Sequence, residues 1–288
     1  MEIIIYGIIN SFQLALIALG FTLVYSISRL PNFAHGALYI TNGYLVWLFL
    51  NKLHLFYPLA IVIAIILTGL IGAMIYRFAL IRIRGMDISE IIATYAIGLA
   101  IIEGLRWGGL RGSTFSLPSF ISGSVSIYGI SIDYQRLLIV ITGFLVFILL
   151  YLFTHYSKTG LALRGIAQDE RASMMLGIDS DFTAILSLAL GSGLAGFSAV
   201  LLLPLGNIVV EAGNHVLIFS IAVCIIGGLG SWSGVVIASF IIGFAQILTE
   251  VFLSSHYQMI VAFLAIIITL LVKPSGIMGK QKELEERV

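Results

Sequence analysis

Charge is what this 288-residue chain has least of: 10% of its residues are Asp, Glu, Lys or Arg, against 60% hydrophobic. Soluble domains carry about a quarter charged residues, so a water-soluble fold is excluded. The mean hydropathy of +1.11 agrees with a chain that lives in a bilayer. Cysteine is nearly absent; the single Cys224 lies inside an apolar run, which excludes an intrachain disulfide. A net charge of +1 offers no basic surplus, so no nucleic-acid partner is expected. The nucleotide-cradling pattern G-x-x-x-x-G-K-[ST] occurs nowhere. Nor is there a serine-hydrolase elbow, because the centre of Gly230-Ser-Trp-Ser-Gly234 is Trp232. His35 has no second ligand at metal-binding spacing, so no metal site is expected.

What is present is long apolar runs. Nine can be marked, at 3–25, 33–50, 59–76, 88–105, 137–154, 182–203, 215–230, 235–253 and 258–272. A helix needs about 17–25 apolar residues to cross the hydrocarbon core. The runs are continuous rather than alternating, which selects helices over a barrel. The expected fold is therefore all-α, a polytopic membrane protein of about 8–9 transmembrane helices with interrupted segments. The first run has no basic n-region and no A-x-A-like cleavage site, and reads as a retained span rather than a signal peptide.

Orientation follows from Lys and Arg in the connections. One set holds Arg29, Arg77, Arg82, Arg84, Lys158, Arg164, Arg171, Lys273, Lys280, Lys282 and Arg287; the other holds Lys52, Arg106, Arg111 and Arg136. Eleven against four places the first set in the cytoplasm, with the N-terminus outside and the C-terminus inside the plasma membrane. The 106–136 segment is then the long external loop. Within it, alternation around Tyr128-Gly129 fits either a short hairpin or an irregular Ser/Gly-rich loop. Residues 274–288 read as a cytoplasmic tail, polar, short and partly helical from Gly279 to Val288.

The chain's few charges are unevenly spent. Between Lys158 and Asp181 lie seven of them, from totals of 15 basic and 14 acidic residues. Residues 155–181 thus form a charged cytoplasmic loop patterned as helix. Asp169 suits an N-cap for the turns that follow, Glu170 sits where the helix dipole favours an anion, and Gly177 suits the C′ position. Leu161, Leu163, Ile166 and Ala167 are expected to line one apolar side of a preceding short helix. Two short helices carrying Met174, Met175 and Leu176 would make a compact knob; methionine adapts well at docking surfaces. The rival reading is an ordinary loop with interfacial helices.

Thr159-Gly-Leu-Ala-Leu-Arg-Gly-Ile-Ala-Gln-Asp-Glu-Arg-Ala-Ser-Met-Met-Leu-Gly-Ile178 resembles the cytoplasmic coupling segment of the branched-chain amino-acid ABC transporter permeases, LivH-type subunits above all. Asn32-Phe-Ala-His-Gly36 and Gly227-Gly-Leu-Gly-Ser231 with Gly234 resemble two further blocks of that family, in matching order and spacing. The resemblance spans essentially the whole chain. It departs from the common pattern at Ala37, Ser233 and Gln246, which leaves the transporter class intact and opens the substrate. It implies an importer permease domain over 1–288. It also implies a second related permease subunit, an external substrate-binding protein and two cytoplasmic ATPases that hold ATP and Mg, with no cofactor and no catalysis in this chain. On it, Gly160, Arg164, Gln168, Asp169, Glu170, Arg171, Met174 and Gly177 would couple to the ATPases.

Other candidates come from the residues. Pro31 cannot continue a helix and Asn32 can cap the next, with His35 and Gly36 in its first turn. Glycines 227, 228, 230 and 234 suit a turn or close backbone approach. Both clusters read as structural helix breaks: Pro31, Asn32, His35, Gly36, Gly227, Gly228, Gly230 and Gly234. Breaks at Leu30-Pro31 and Leu203-Pro204, one per half, hint at a repeat around a central site. Polar residues within spans mark a pathway, for which Asn10, Gln13, Asn42 and Thr94 are chosen; Glu103 and Glu250 lie near outer ends. The competing functions are a secondary transporter or channel for a small polar solute, and an intramembrane enzyme, for which no constellation is visible.

Overall fold

The computed structural model describes residues 1–29, 31–110, 115–127 and 129–279. Leu30, Arg111, the hairpin residue Tyr128 and the tail with Lys280, Lys282 and Arg287 lie outside the described residues. The chain runs through α1 (Glu2–Ser28), α2 (His35–Asn51), α3 (Tyr57–Phe78), α4 (Asp87–Leu105), β1 (Ser124–Ile127), β2 (Ile130–Asp133), α5 (Tyr134–Tyr156), α6 (Lys158–Gln168), α7 (Glu170–Met175), α8 (Ser180–Leu202), α9 (Val210–Gly227), α10 (Trp232–Phe252) and α11 (Gln258–Val272). Among the described residues eight helices are long and apolar enough to cross a membrane. The ninth apolar segment is α2, which at 17 residues is shorter than its neighbours α1 and α3, of 27 and 22 residues. Each of the nine expected segments is thus a helix. The largest boundary correction is at 215–230, where α9 begins at Val210, because Ile208 is held by an isolated β-bridge to Phe115 and releases the chain into helix directly afterwards.

β1 and β2 pair antiparallel, Ser124 opposite Asp133, so the 106–136 segment takes the hairpin alternative. Tyr6 at the start of α1 donates its hydroxyl hydrogen to the Ser131 carbonyl at 3.1 Å, tying the hairpin to the bundle.

α1 and α8 form the centre, buried over 56% of their most apolar stretch, whereas α11 is buried over 6% and lies outermost. Lipid gives apolar side chains no reason to leave it for a protein interior, so close packing through small residues decides which helices sit centrally. Gly20 of α1 meets Gly191 of α8, where a β-carbon on Gly20 would stand 2.7 Å from the Gly191 carbonyl oxygen. Several buried hydroxyls are satisfied within their own helices: Ser11 donates to the Gly7 carbonyl, Thr41 to Ala37 and Thr68 to Ala64.

α2 does not start at the end of the bundle. His35 Nε2 lies 3.0 Å from the carbonyl oxygen of Ile17, roughly 16 Å up α1 from Ser28 at 1.5 Å per residue. The segment after Arg29 therefore turns back into the bundle before α2 begins. α9 enters from the opposite end after Pro204, and the two helices meet where Gly36 presses on Gly213.

Arg29, Arg77, Arg82, Arg84, Lys158, Arg164, Arg171 and Lys273 lie in or beside the α1–α2, α3–α4, α5–α8 and post-α11 connections, and Lys52, Arg106 and Arg136 in or beside the α2–α3 and α4–α5 connections.

Candidate functional site: a knob at the basic face and a seam along α1

The segment after α5 folds as two short helices. Ser157 caps α6, its hydroxyl oxygen accepting from the Gly160 N–H at 2.8 Å. A cap by Ser157 was not read from the sequence, although Ser-Lys-Thr before an apolar pattern is an ordinary start signal. Gly160 packs against the end of α5, where a β-carbon would fall on the Phe153 carbonyl. It is buried, and lets α6 fold back tightly. Leu163 and Ile166 bury against Leu23 and Ile27 of α1. Leu161 is 50% exposed and points away, correcting the expected apolar side; 163 and 166 share a face at helical spacing and 161 does not.

Asp169 ends α6 and caps α7, its carboxylate accepting from the Ala172 N–H at 3.0 Å. Gly177 adopts φ 84°, in the left-handed region. Its N–H bonds to the Met174 carbonyl and that of Ile178 to Ser173, the paired bonds of a Schellman ending. Met174, Met175 and Leu176 are exposed, Met175 by 89%. Arg171 and Gln168 are also exposed, and Arg164 and Gln168 border a cavity described below.

What holds the knob is Arg84, a residue the sequence reading used only for orientation. Its guanidinium donates to Glu170, to Asp181 and to the Ser180 hydroxyl, which itself donates to Glu170 at 2.5 Å. Tyr76 of α3 donates to Asp181 at 3.3 Å. Burial works against the Arg84 charge, but Tyr76, Glu170 and Asp181 outweigh it and raise the pKa above the ordinary guanidinium value. One side chain thus ties the α3–α4 connection to α7 and to the start of α8. No sequence spacing marks it, since its partners lie 86 to 97 residues away.

The helix-break residues are brought to two places. Pro31 and Asn32 make the turn into α2, where Asn32 Oδ1 accepts from the Ala34 N–H at 3.0 Å. The α2 cap position is Ala34, so Asn32 lies two residues before the cap and shapes the approach rather than capping. His35 is fully buried, edge-on to Phe21. At the other place Gly227 and Gly234 are back to back, so that α9 and α10 form a tight hairpin whose turn uses positive φ at Gly228 and Gly230. Beneath it the chain after α11 returns: the N–H groups of Ile277 and Met278 bond to the carbonyls of Ile226 and Gly227.

Two cavities open at opposite faces along α1, where it lies between α5 and α10. The one at the basic face measures about 690 Å³ and is bordered by Arg29, His155, Arg164, Ser231 and Trp232. The other, about 520 Å³, is bordered by Tyr6, Asn10, Gln13, Arg136 and Glu250. Between them Phe12 stands edge-on to Phe240 at 5.7 Å, against Gly143 of α5, with Phe244 stacked on Phe240 and packed at Gly7. Asn10 and Gln13 thus line one cavity together. Asn42 and Thr94 do not: Asn42 donates to Thr68 at 3.1 Å and packs on Gly196 in the α2–α3–α8 core, and Thr94 Oγ1 accepts from the Phe33 N–H at 3.3 Å. Of the carboxylates near span ends, Glu103 pairs with Arg106 at 2.6 Å, and Arg106 reaches Glu211. Among the described residues no cluster of His, Cys, Asp and Glu suits a metal.

A helical membrane bundle whose α2 starts inside the bundle, with two cavities along α1 and a knob of short helices at one end, is an arrangement that suits transport. The family comparison makes this specific: the chain belongs to the permease components of the branched-chain amino acid transport system, matched over residues 3–270. It is 31% identical over 281 residues to the high-affinity branched-chain amino acid transport system permease protein LivH of Salmonella typhimurium, covering 92% of this chain and 91% of the relative. It is 32% identical to BraD of Pseudomonas aeruginosa, described in the same terms, with the same coverage. It is 30% identical to a probable LivH of Methanocaldococcus jannaschii, over 95% of this chain and 90% of that one. Among solved structures it is similar to PsaBC from Streptococcus pneumoniae in complex with Fab, at a TM-score of 0.54 and 15% identity, over 100% of this chain and 96% of that one. That likeness concerns the fold.

Proposed function

We propose that this chain is the membrane-spanning subunit of an ATP-driven importer for branched-chain or closely related amino acids. The observation that carries the reading is the α6–α7 knob, an exposed Met174–Met175–Leu176 surface held stiffly to three helices at the end of a bundle that has no nucleotide motif of its own. Such a surface suits a partner that supplies the motion. The partners are two cytoplasmic ATPases holding ATP and Mg, a second related permease and an external binding protein, and the relatives' names supply the cargo. The basic face is then cytoplasmic in the plasma membrane, by the bias of Lys and Arg. Residues 155–181 form the coupling loop, 106–136 the external loop and 274–288 the cytoplasmic tail of one permease domain.

Mechanically, ATP binding moves the ATPases, the knob follows, and Arg84 passes the motion to α3 and α8 rather than to α7 alone. The passage runs along α1, with Asn10 and Gln13 in the outer cavity and the Phe12–Phe240–Phe244 cluster closing it from the inner one. A conformational change needs differential binding to its two states, which ATP and the loaded binding protein provide. The test is purification of the tagged chain with whatever accompanies it, followed by reconstitution. Leucine uptake that requires ATP and the accompanying ATPases is the expected result. Uptake by the chain alone, driven by an ion gradient, would replace the importer with a secondary carrier.

A further inference from the structure

We infer that the cavity opposite the knob is a receiving site for a zwitterion, in which Arg136 takes the carboxylate and Glu250 the ammonium group; this rests on the importer reading for the direction of entry. The two charged residues stand on the helices that flank α1, Arg136 in the first turn of α5 and Glu250 in the last turn of α10, and both border the same space. Its volume of about 520 Å³ falls in the roughly 300–1,000 Å³ range of small-molecule sites.

Arg136 is held in place but not satisfied. Its guanidinium carbon lies 5.0 Å over the Tyr6 ring, a cation–π seat that fixes the plane of the fork. Its nearest carboxylate, Asp133, is 3.6 Å from Nε, and Nε is buried without a hydrogen bond. A guanidinium presents five donors in a rigid fork matched to a carboxylate. Nε is turned toward Asp133, and the side chain as a whole is 36% exposed, so the terminal nitrogens of the fork are the donors that an incoming carboxylate can reach.

Glu250 is similarly half engaged. One of its oxygens accepts from Gln258 Nε2 at 2.9 Å, which orients the carboxylate and leaves the other oxygen for a second donor. Asn10 adds to this side: its amide nitrogen is committed to Gln246 Oε1 at 2.9 Å and to the Gly243 carbonyl, so its own oxygen is the atom left to accept. Apolar walls from Ile9, Ile247 and Val251 complete the space. Charges of opposite sign bordering one cavity, acceptors beside the negative one and an aliphatic lining match a neutral amino acid with an aliphatic side chain. A solute lacking either charge leaves one wall unpaired in a partly dehydrated site, and such mismatches give specificity. Glu2 also borders the cavity, which makes a cation the stringent competitor.

The full chain carries one cysteine, Cys224, fully buried, so a single introduced thiol reports alone. Val251→Cys, at the cavity wall and 55% exposed, is labelled in membranes with a charged methanethiosulfonate. Leucine, leucinamide and 4-methylpentanoate are compared as protectants. Leucine is expected to protect at concentrations ~10-fold or more below either analogue, tenfold being the effect of one mismatched charge at about 1.4 kcal/mol. Adding Arg136→Gln abolishes the advantage over leucinamide, and adding Glu250→Gln the advantage over 4-methylpentanoate. Ligand-free labelling by a neutral methanethiosulfonate at the parent rate shows that these variants are still folded. Failure of leucine to protect, equal protection by all three, or a preference that survives both substitutions would overturn the assignment. ATP-independent uptake with protection intact would instead remove the importer reading and leave the zwitterion site standing.

Discussion

Arg84 joins three elements through one side chain, and what it costs to lose it separates stability from coupling. The side chains of Arg84, Glu170 and Asp181 are 34%, 46% and 46% exposed. Solvent screens such pairs, and each is worth about 1 kcal/mol or less. Arg84→Gln is therefore expected to leave the protein inserted and only slightly less stable. It should nonetheless lower the substrate moved per ATP several-fold, because α7 is no longer tied to α3 and α8. Arg84→Lys recovers part of this at most, since a point charge on a flexible stem does not bridge three acceptors as a planar fork does. Comparing the uptake-to-hydrolysis ratio in reconstituted complexes of all three proteins decides the matter; an unchanged ratio in Arg84→Gln would mean that the clamp carries no motion.

Among the elements, α7 is the shortest and the most dependent on its ends. Six residues make no stable helix alone, so Asp169 at one end and Gly177 at the other set its shape. Gly177→Pro removes the N–H that bonds to Met174 and forbids the positive φ, and is expected to unravel the last turn and displace Met174 and Met175. Uptake should fall tenfold or more with membrane insertion unaffected, as measured by surface-accessible labelling against transport; full uptake would argue against docking through α7. The caps of α7 were readable in the sequence because they are local, with Asp169 and Gly177 within a few residues of what they bond. The nine apolar helices were readable because bilayer thickness sets their length. The Arg84 clamp was not, since its bonds join residues far apart in the chain. Nor was the placement of Asn42 and Thr94. Polarity within a span marks both a wet lining and an internal hydrogen bond, and only packing tells Asn10 in a cavity from Asn42 on Thr68.

At the scale of the whole molecule the arrangement is polarised. The knob, the Arg84 clamp, the α9–α10 turn and most of the described basic residues share one face, with the hairpin and the zwitterion cavity at the other. The proposed orientation is tested with single thiols in a Cys224→Ser background. Lys158→Cys in α6 should react with a membrane-impermeant reagent only after cells are opened, and Lys52→Cys after α2 should react in intact cells. The reverse pattern would invert the protein and turn the importer reading around with it.

The return of the chain beneath the α9–α10 turn has a bearing on the order in which the protein is made. Ile226 and Gly227 end a helix with carbonyls that find their partners only at Ile277 and Met278, some fifty residues later in synthesis. Until those residues emerge, the end of α9 is left with acceptors in need of donors at a place that is otherwise buried, at a cost of about 1–3 kcal/mol for each. The bundle therefore cannot settle progressively from its first helix to its last. The end of the bundle that carries the α9–α10 turn is sealed by the late arrival of a short strap, and a chain stopped before Ile277 leaves that seam open rather than being a slightly shorter protein.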